Sequence, residues 1–362
     1  MSSIERDAGR CLCIGFTDPT PPAQVLERVR AGEVGGVILF TRNATSLEAL
    51  CETTRALSQA APWPLLLAVD QEGGAVQRVA KGITRWPAMR ELGARGDEGL
   101  CERVGAAIGA DLRVLGFNVD FAPVLDVVSS DVNTVIGDRS FGSDPEQAAK
   151  MALAVARGLS AVDVIPCGKH FPGHGGPVAD SHMELPLEKR SADALRAVDL
   201  VPFARAIEAE LPLLMSAHIL VPALGASEVP GTLSRAVCTD LLRQEMGFEG
   251  VLVSDCLEMR AISDNVEKLT GRDDFGEAAL AALMAGVDLL LICHTEARQR
   301  AAYRRLVEAA KADEAVAARL AEAAARVEAL QARVVAAPAA PEDVMAALDP
   351  ERHAALLAEL GG

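Results

Sequence analysis

The chain alternates short apolar runs with longer segments of helical periodicity, and it does so eight times. The apolar runs are Cys11–Phe16, Val34–Phe40, Leu65–Asp70, Asn118–Val124, Val164–Phe171, Leu213–His218, Gly250–Asp255 and Val287–His294. They are short, branched and bounded by turn residues, as strands buried on both faces are. The segments Ala23–Ala31, Ser46–Ala60, Glu98–Leu115, Pro145–Ser160, Ala192–Glu208, Ala236–Met246, Phe275–Ala285 and Glu296–Ala312 repeat apolar positions at helical spacing, and each follows one of the runs.

Strand-then-helix units require a parallel sheet covered by helices, and eight of them are the number that closes a (β/α)8 TIM-type barrel. This α/β barrel is the expected fold, with a doubly wound open sheet as the alternative. Arg42, Asp70, Asp126, His170, His218, Asp255 and His294 each fall at or just after the end of a different run. A barrel brings such ends to one mouth, whereas an open sheet spreads them along an edge. Residues 1–312 are expected to form the catalytic barrel. Residues 313–362 are read as a helical extension packed on the barrel or on a partner, helical through Ala332, broken at Ala337–Pro341 and helical again around Val344–Leu360.

Composition narrows the partners. Half of the 362 residues are hydrophobic and only 3% aromatic, so the core is aliphatic. A formal net charge of −16 argues against nucleic acid and anionic membranes, because no basic block exists to neutralise phosphates. A small-molecule substrate is expected, with the chain a monomer or weak homodimer. Residues 1–10 lack the basic start and apolar centre of a signal peptide, which points to the cytoplasm. The eight cysteines are scattered, mostly inside apolar runs, and read as packing thiols.

The candidate chemistry is concentrated after the fifth run, in Lys169-His170-Phe171-Pro172-Gly173-His174-Gly175 and Asp180-Ser181-His182. Asp180 and His182 lie two apart, so the carboxylate can hold one imidazole nitrogen and leave the other for proton transfer. The seventh run ends in Ser254-Asp255. A carboxylate at the end of an apolar strand is a candidate nucleophile, with a helix N-cap as the competing reading. Asp255 with His182 as separate acid/base suits double displacement at an acetal carbon. A zinc site of His170, His174, His182 and Asp180 is disfavoured, since Pro172 and Gly173 break any helix between the first two histidines. Asp70, Glu72, Arg78, Asp126, Asp138, Arg139, Lys169 and His170 look like equipment for a hydroxyl-rich ligand. For Glu72 and Arg78 a salt bridge within the loop is an equal reading.

Six collinear motifs resemble glycoside hydrolase family three, in particular its bacterial single-domain β-N-acetylglucosaminidases of cell-wall recycling. They are Ile38-Leu39-Phe40, Asp70-Gln71-Glu72-Gly73-Gly74 with Val76-Gln77-Arg78, Phe121 to Val127, Ile136 to Phe141, Lys169 to Gly175 with Asp180-Ser181-His182, and Ser254-Asp255. The resemblance implies Asp255 as nucleophile, His182 as acid/base, Asp180 as its partner, and Asp70, Arg78, Arg139, Lys169 and His170 as holders of the non-reducing sugar. It implies retaining hydrolysis of a terminal β-linked N-acetylglucosamine from peptidoglycan fragments, without metal or cofactor. Two departures stand out. Gly176-Pro177 replaces the usual Asp-Thr of the loop, and Ala75 stands where relatives often carry Arg. A phosphorylase using the same nucleophile and a non-catalytic sugar-binding barrel are the alternatives.

Overall fold

The computed structural model describes residues 2–128, 133, 135–176, 185–336 and 344–361. In chain order its strands are β1 (Leu12–Ile14), β2 (Gly36–Ile38), β3 (Leu66–Val69), β4 (Gln71–Gly73), β5 (Val76–Gln77), β6 (Val119–Asp120), β7 (Ile165–Phe171), β8 (Leu213–Ser216), β9 (Val251–Ser254) and β10 (Leu290–Ile292). Eight of them pair in parallel in the order β10-β1-β2-β3-β6-β7-β8-β9. A parallel bridge from Val253 to Leu289 joins β9 back to the chain entering β10. The sheet therefore closes on itself as the expected barrel, and the open-sheet alternative falls. Each predicted run supplies one barrel strand, but the hydrogen-bonded ladders are shorter than the runs.

Helices cover the outside, and several start where a polar side chain satisfies an otherwise orphaned N–H group. Ser46 accepts from the Ala49 N–H ahead of Leu47–Ala60, Asp97 from Leu100 ahead of Glu98–Val114, and Asp144 from Gln147 ahead of Pro145–Ala161. The predicted helix over 192–208 is two, Ala192–Ala197 and Val201–Glu208. Pro202 has no N–H and is tolerated only in a first turn, so the chain restarts there. Asp199, in the break, is fully buried. Several elements escape the periodicity, among them the helix Ser3–Arg10, opened by a capping box of Ser2 and Glu5, the helix Met89–Arg95 and the antiparallel β4–β5 hairpin.

Strand alternation sorts the core into two layers. Cys13, Ile38, Leu66, Ala68, Val119, Ile165, Cys167, Leu213, Met215, Val251, Val253, Leu289 and Leu291 pack together, and Val327 and Leu330 join them from the helix Glu314–Gln331. Their strand neighbours Leu12, Ile14, Val37, Leu67, Leu214, Leu252 and Leu290 pack in a second cluster with the helices. The first layer is the barrel interior, with Val327 and Leu330 closing its floor. Gln331 donates to the Gly35 carbonyl at 3.0 Å, and Arg10 pairs with Glu328 at 2.8 Å. The predicted final helix is instead three short pieces, Val344–Ala347, Pro350–His353 and Ala354–Glu359. Among the described residues, no helix is long and apolar enough to cross a membrane.

Candidate active site

The inward phase of the strands predicts where chemistry must appear. One step of two beyond Ala68, Cys167, Val253, Ile38 and Leu291 lie Asp70, Lys169, Asp255, Phe40 and Cys293, and all five line one cavity of about 240 Å³ at the C-terminal mouth. Glu72 of β4, His170 of β7 and the segments that carry Arg78, Arg139, His174 and His294 complete the lining. The barrel thus brings together six of the eight sequence-predicted site residues: Asp255, Asp70, Arg78, Arg139, Lys169 and His170. Asp180 and His182 lie outside the described residues.

One wall of the cavity is a buried ion network. The Lys169 ammonium lies 2.8 Å from Asp70 and 2.5 Å from Glu72, and Arg139 grips Glu72 with two parallel bonds of 2.8 Å. Burial pushes the Glu72 carboxyl up, but Arg139 and Lys169 outweigh it and hold it well below the usual carboxylate range. Burial works against the Lys169 charge too, and Asp70 and Glu72 overcome it, so the ammonium is held above its ordinary value. Arg78, 3.6 Å from Asp70, completes the wall. The hairpin sets this geometry. The Gln71 side chain bonds both the N–H and the carbonyl of Val79, and that of Gln77 bonds the N–H and the carbonyl of Trp86.

Beneath this wall Asp120 ends β6, accepting the Gln71 N–H at 2.9 Å while its other oxygen has no hydrogen-bond partner among the described residues. Burial raises its carboxyl to about 8. His170 is oriented by Asp126, whose carboxylate lies 2.7 Å from Nδ1 and accepts the N–H groups of His170 and His174. Asp126 was expected to face the ligand, as was Asp138. Asp126 is instead buried behind the histidines, and neither aspartate lines the cavity. Burial lowers the proton affinity of His174.

Opposite stands Asp255, half-buried, with its N–H donating to the Ser216 carbonyl at 3.2 Å. The rim beside it carries Phe40, whose ring centroid lies 5.6 Å from that of His294 and 4.3 Å from the Arg42 guanidinium. Arg42 itself donates to the carbonyls of Phe16 and Cys293, which makes it a brace for the rim. Sequence reasoning left Glu72 undecided and did not single out Phe40, His174 or Cys293 as site residues. The period-two phase of the strands could have found Phe40 and Cys293. The partners of Glu72 could not be read locally.

A family model described as the glycosyl hydrolase family 3 N-terminal domain matches residues 9–330. The chain belongs to this family. It is a glycoside hydrolase. Among its relatives, a protein named beta-hexosaminidase from Thiobacillus denitrificans is 40% identical over 272 residues, 72% of each chain. Another of that name from Pseudomonas aeruginosa is 41% identical over 276 residues, 74% of this chain and 78% of its own. Among solved structures, a family 3 beta-N-acetylglucosaminidase from Paenibacillus sp. superposes with a TM-score of 0.91 at 34% identity, covering 99% of this chain and 68% of its own. NagZ from Neisseria gonorrhoeae, in complex with N-trifluoroacetyl-D-glucosamine, superposes with a TM-score of 0.78 at 30% identity, covering 97% of both chains.

Proposed function

We propose that this glycoside hydrolase is a retaining exo-β-N-acetylglucosaminidase that removes terminal β-linked N-acetylglucosamine from peptidoglycan fragments in the cytoplasm. One observation carries the reading: Asp255 and the Asp70, Arg78, Arg139, Lys169 and His170 cluster line the same closed-end cavity. Its size and its fixed polar wall suit one hydroxyl-rich sugar ring held at the non-reducing end. The names of the family relatives supply the acetamido sugar.

In this scheme the Asp255 carboxylate attacks the anomeric carbon while His182, held by Asp180, protonates the departing oxygen. The imidazole then takes a proton from water, which displaces Asp255 and restores the original anomeric configuration. Only side chains of residues 1–312 act, and residues 313–362 serve as the helical extension, in a monomer or weak homodimer. The test is the product formed from p-nitrophenyl β-N-acetylglucosaminide and from N-acetylglucosaminyl-anhydromuramic acid, with and without inorganic phosphate. Free N-acetylglucosamine of retained configuration is expected in both cases. A sugar 1-phosphate, or no turnover at all, would overturn the reading.

A further inference from the structure

The exit of β7 is held by a charged group that takes no part in lining the cavity. Arg190 bonds Glu188 through Nε at 3.0 Å and Nη2 at 2.7 Å, and the same Nη2 reaches Asp199 at 2.9 Å. Asp199 is fully buried, with its second oxygen unpartnered among the described residues, and Glu188 is 4% exposed. Two attachments tie the group to the barrel: the Glu188 N–H donates to the Leu220 carbonyl beyond β8, and Asp199 occupies the break between two outer helices.

This group presses on the glycines that lead out of β7. A Cβ on Gly176 would meet Arg190 Nη2 at 2.1 Å and Glu188 Oε2 at 2.3 Å. A Cβ on Gly173, whose φ is +121°, would come within 2.7 Å of the Asp199 Cβ, and one on Gly175 within 1.8 Å of the Val127 carbonyl. Gly176 thus meets a need for space, since the ion pair lies against its Cα. Three buried or half-buried charges are costly to assemble, and one use of such an assembly is to select a single chain path.

We propose that Arg190, with Glu188 and Asp199, is a positioning residue of the reaction: the clamp fixes the path of Gly173–Gly176 and so the point from which the chain carrying Asp180 and His182 departs. The inference rests on His182 being the acid/base. It assigns the clamp to proton transfer and leaves sugar binding to the opposite wall, so with a leaving group that needs no protonation its loss slows deglycosylation, lowers kcat and KM together and leaves kcat/KM nearly unchanged.

Azide tests this directly, because it attacks the glycosyl-aspartate without needing a general base. A bond forms from its terminal nitrogen to the anomeric carbon, the bond to the Asp255 oxygen breaks, and the carboxylate is returned. With p-nitrophenyl β-N-acetylglucosaminide, Arg190→Ala should lose roughly 30-fold or more in kcat, keep kcat/KM within about twofold, and recover turnover with sodium azide to give the glycosyl azide. Gly176→Ala, which displaces the same ion pair, should behave alike and serves if Arg190→Ala does not fold. His182→Ala is the reference. Azide rescue of His182→Ala but of neither clamp variant overturns the proposal, as does a clamp variant with kcat within about twofold of wild type. Absence of rescue in His182→Ala itself shows instead that the acid/base reading fails, and the proposal falls with it.

Discussion

The barrel carries a buried ion network at each end, and both pair carboxylates with basic side chains. At the mouth, Lys169 and Arg139 face Asp70 and Glu72. At the floor, the fully buried Asp288 receives Arg243, Arg319 and Arg326. The difference is where spare donors point. Arg243 also donates to the Phe248 carbonyl and Arg319 to those of Leu283 and Val287, so several donors at the floor are spent on the main chain. At the mouth the charged groups border an open cavity. Buried charge alone does not mark an active site; charge that is paired and still faces space does.

Four substitutions sharpen or break that contrast. Asp255→Ala should have the largest effect, a loss in kcat of about 10⁴-fold or more with an unchanged melting temperature. p-Nitrophenol release near the wild-type rate would remove Asp255 from the reaction. Next, Lys169→Ala leaves Asp70 and Glu72 without their shared cation, a loss of about 3 kcal/mol of transition-state binding, or roughly a hundredfold in kcat/KM. Steady-state kinetics that put the loss below about threefold would make the mouth network structural, like the floor.

Asp288→Ala should do the reverse, destabilising by about 3–5 kcal/mol while kcat measured well below the melting temperature stays within about twofold. Denaturant melts paired with activity assays read both, and a folded but inactive variant would erase the distinction between the two ends. Asp120→Asn should be the mildest. The folded carboxyl holds its proton up to about pH 8, and an unfolded one releases it near pH 4. Folding therefore takes up a proton in that interval, so wild-type stability falls as pH rises through it and levels off above about 8. The Asn variant lacks this fall and should melt a few degrees higher near pH 7.5 by calorimetry, with a flatter profile.

Asp70, Lys169 and Asp255 were legible because each continues an inward-facing period beyond an apolar strand, and an uninterrupted apolar run is what burial on both faces leaves behind. The β4–β5 hairpin was not, because Gln71 and Gln77 spend their amides on their own loop and look like surface residues in the chain. Asp126 read as a ligand contact for the same reason that it holds His170. A strand-end carboxylate presents one pattern whether it meets a sugar or an imidazole. Pro202 was visible in the sequence, but the inward turn of Asp199 depends on Arg190 waiting for it.

Strand number and the alternation of strands with helices follow from local periodicity, which any stretch of the chain carries within itself. Which carboxylate meets which cation, and whether the pair borders a cavity or a plugged floor, follows from closure of the ring and the docking of Glu314–Gln331 beneath it. Those pairings join residues distant in sequence, and the cost of burying their charges is recovered only when the folded chain brings them within hydrogen-bonding reach.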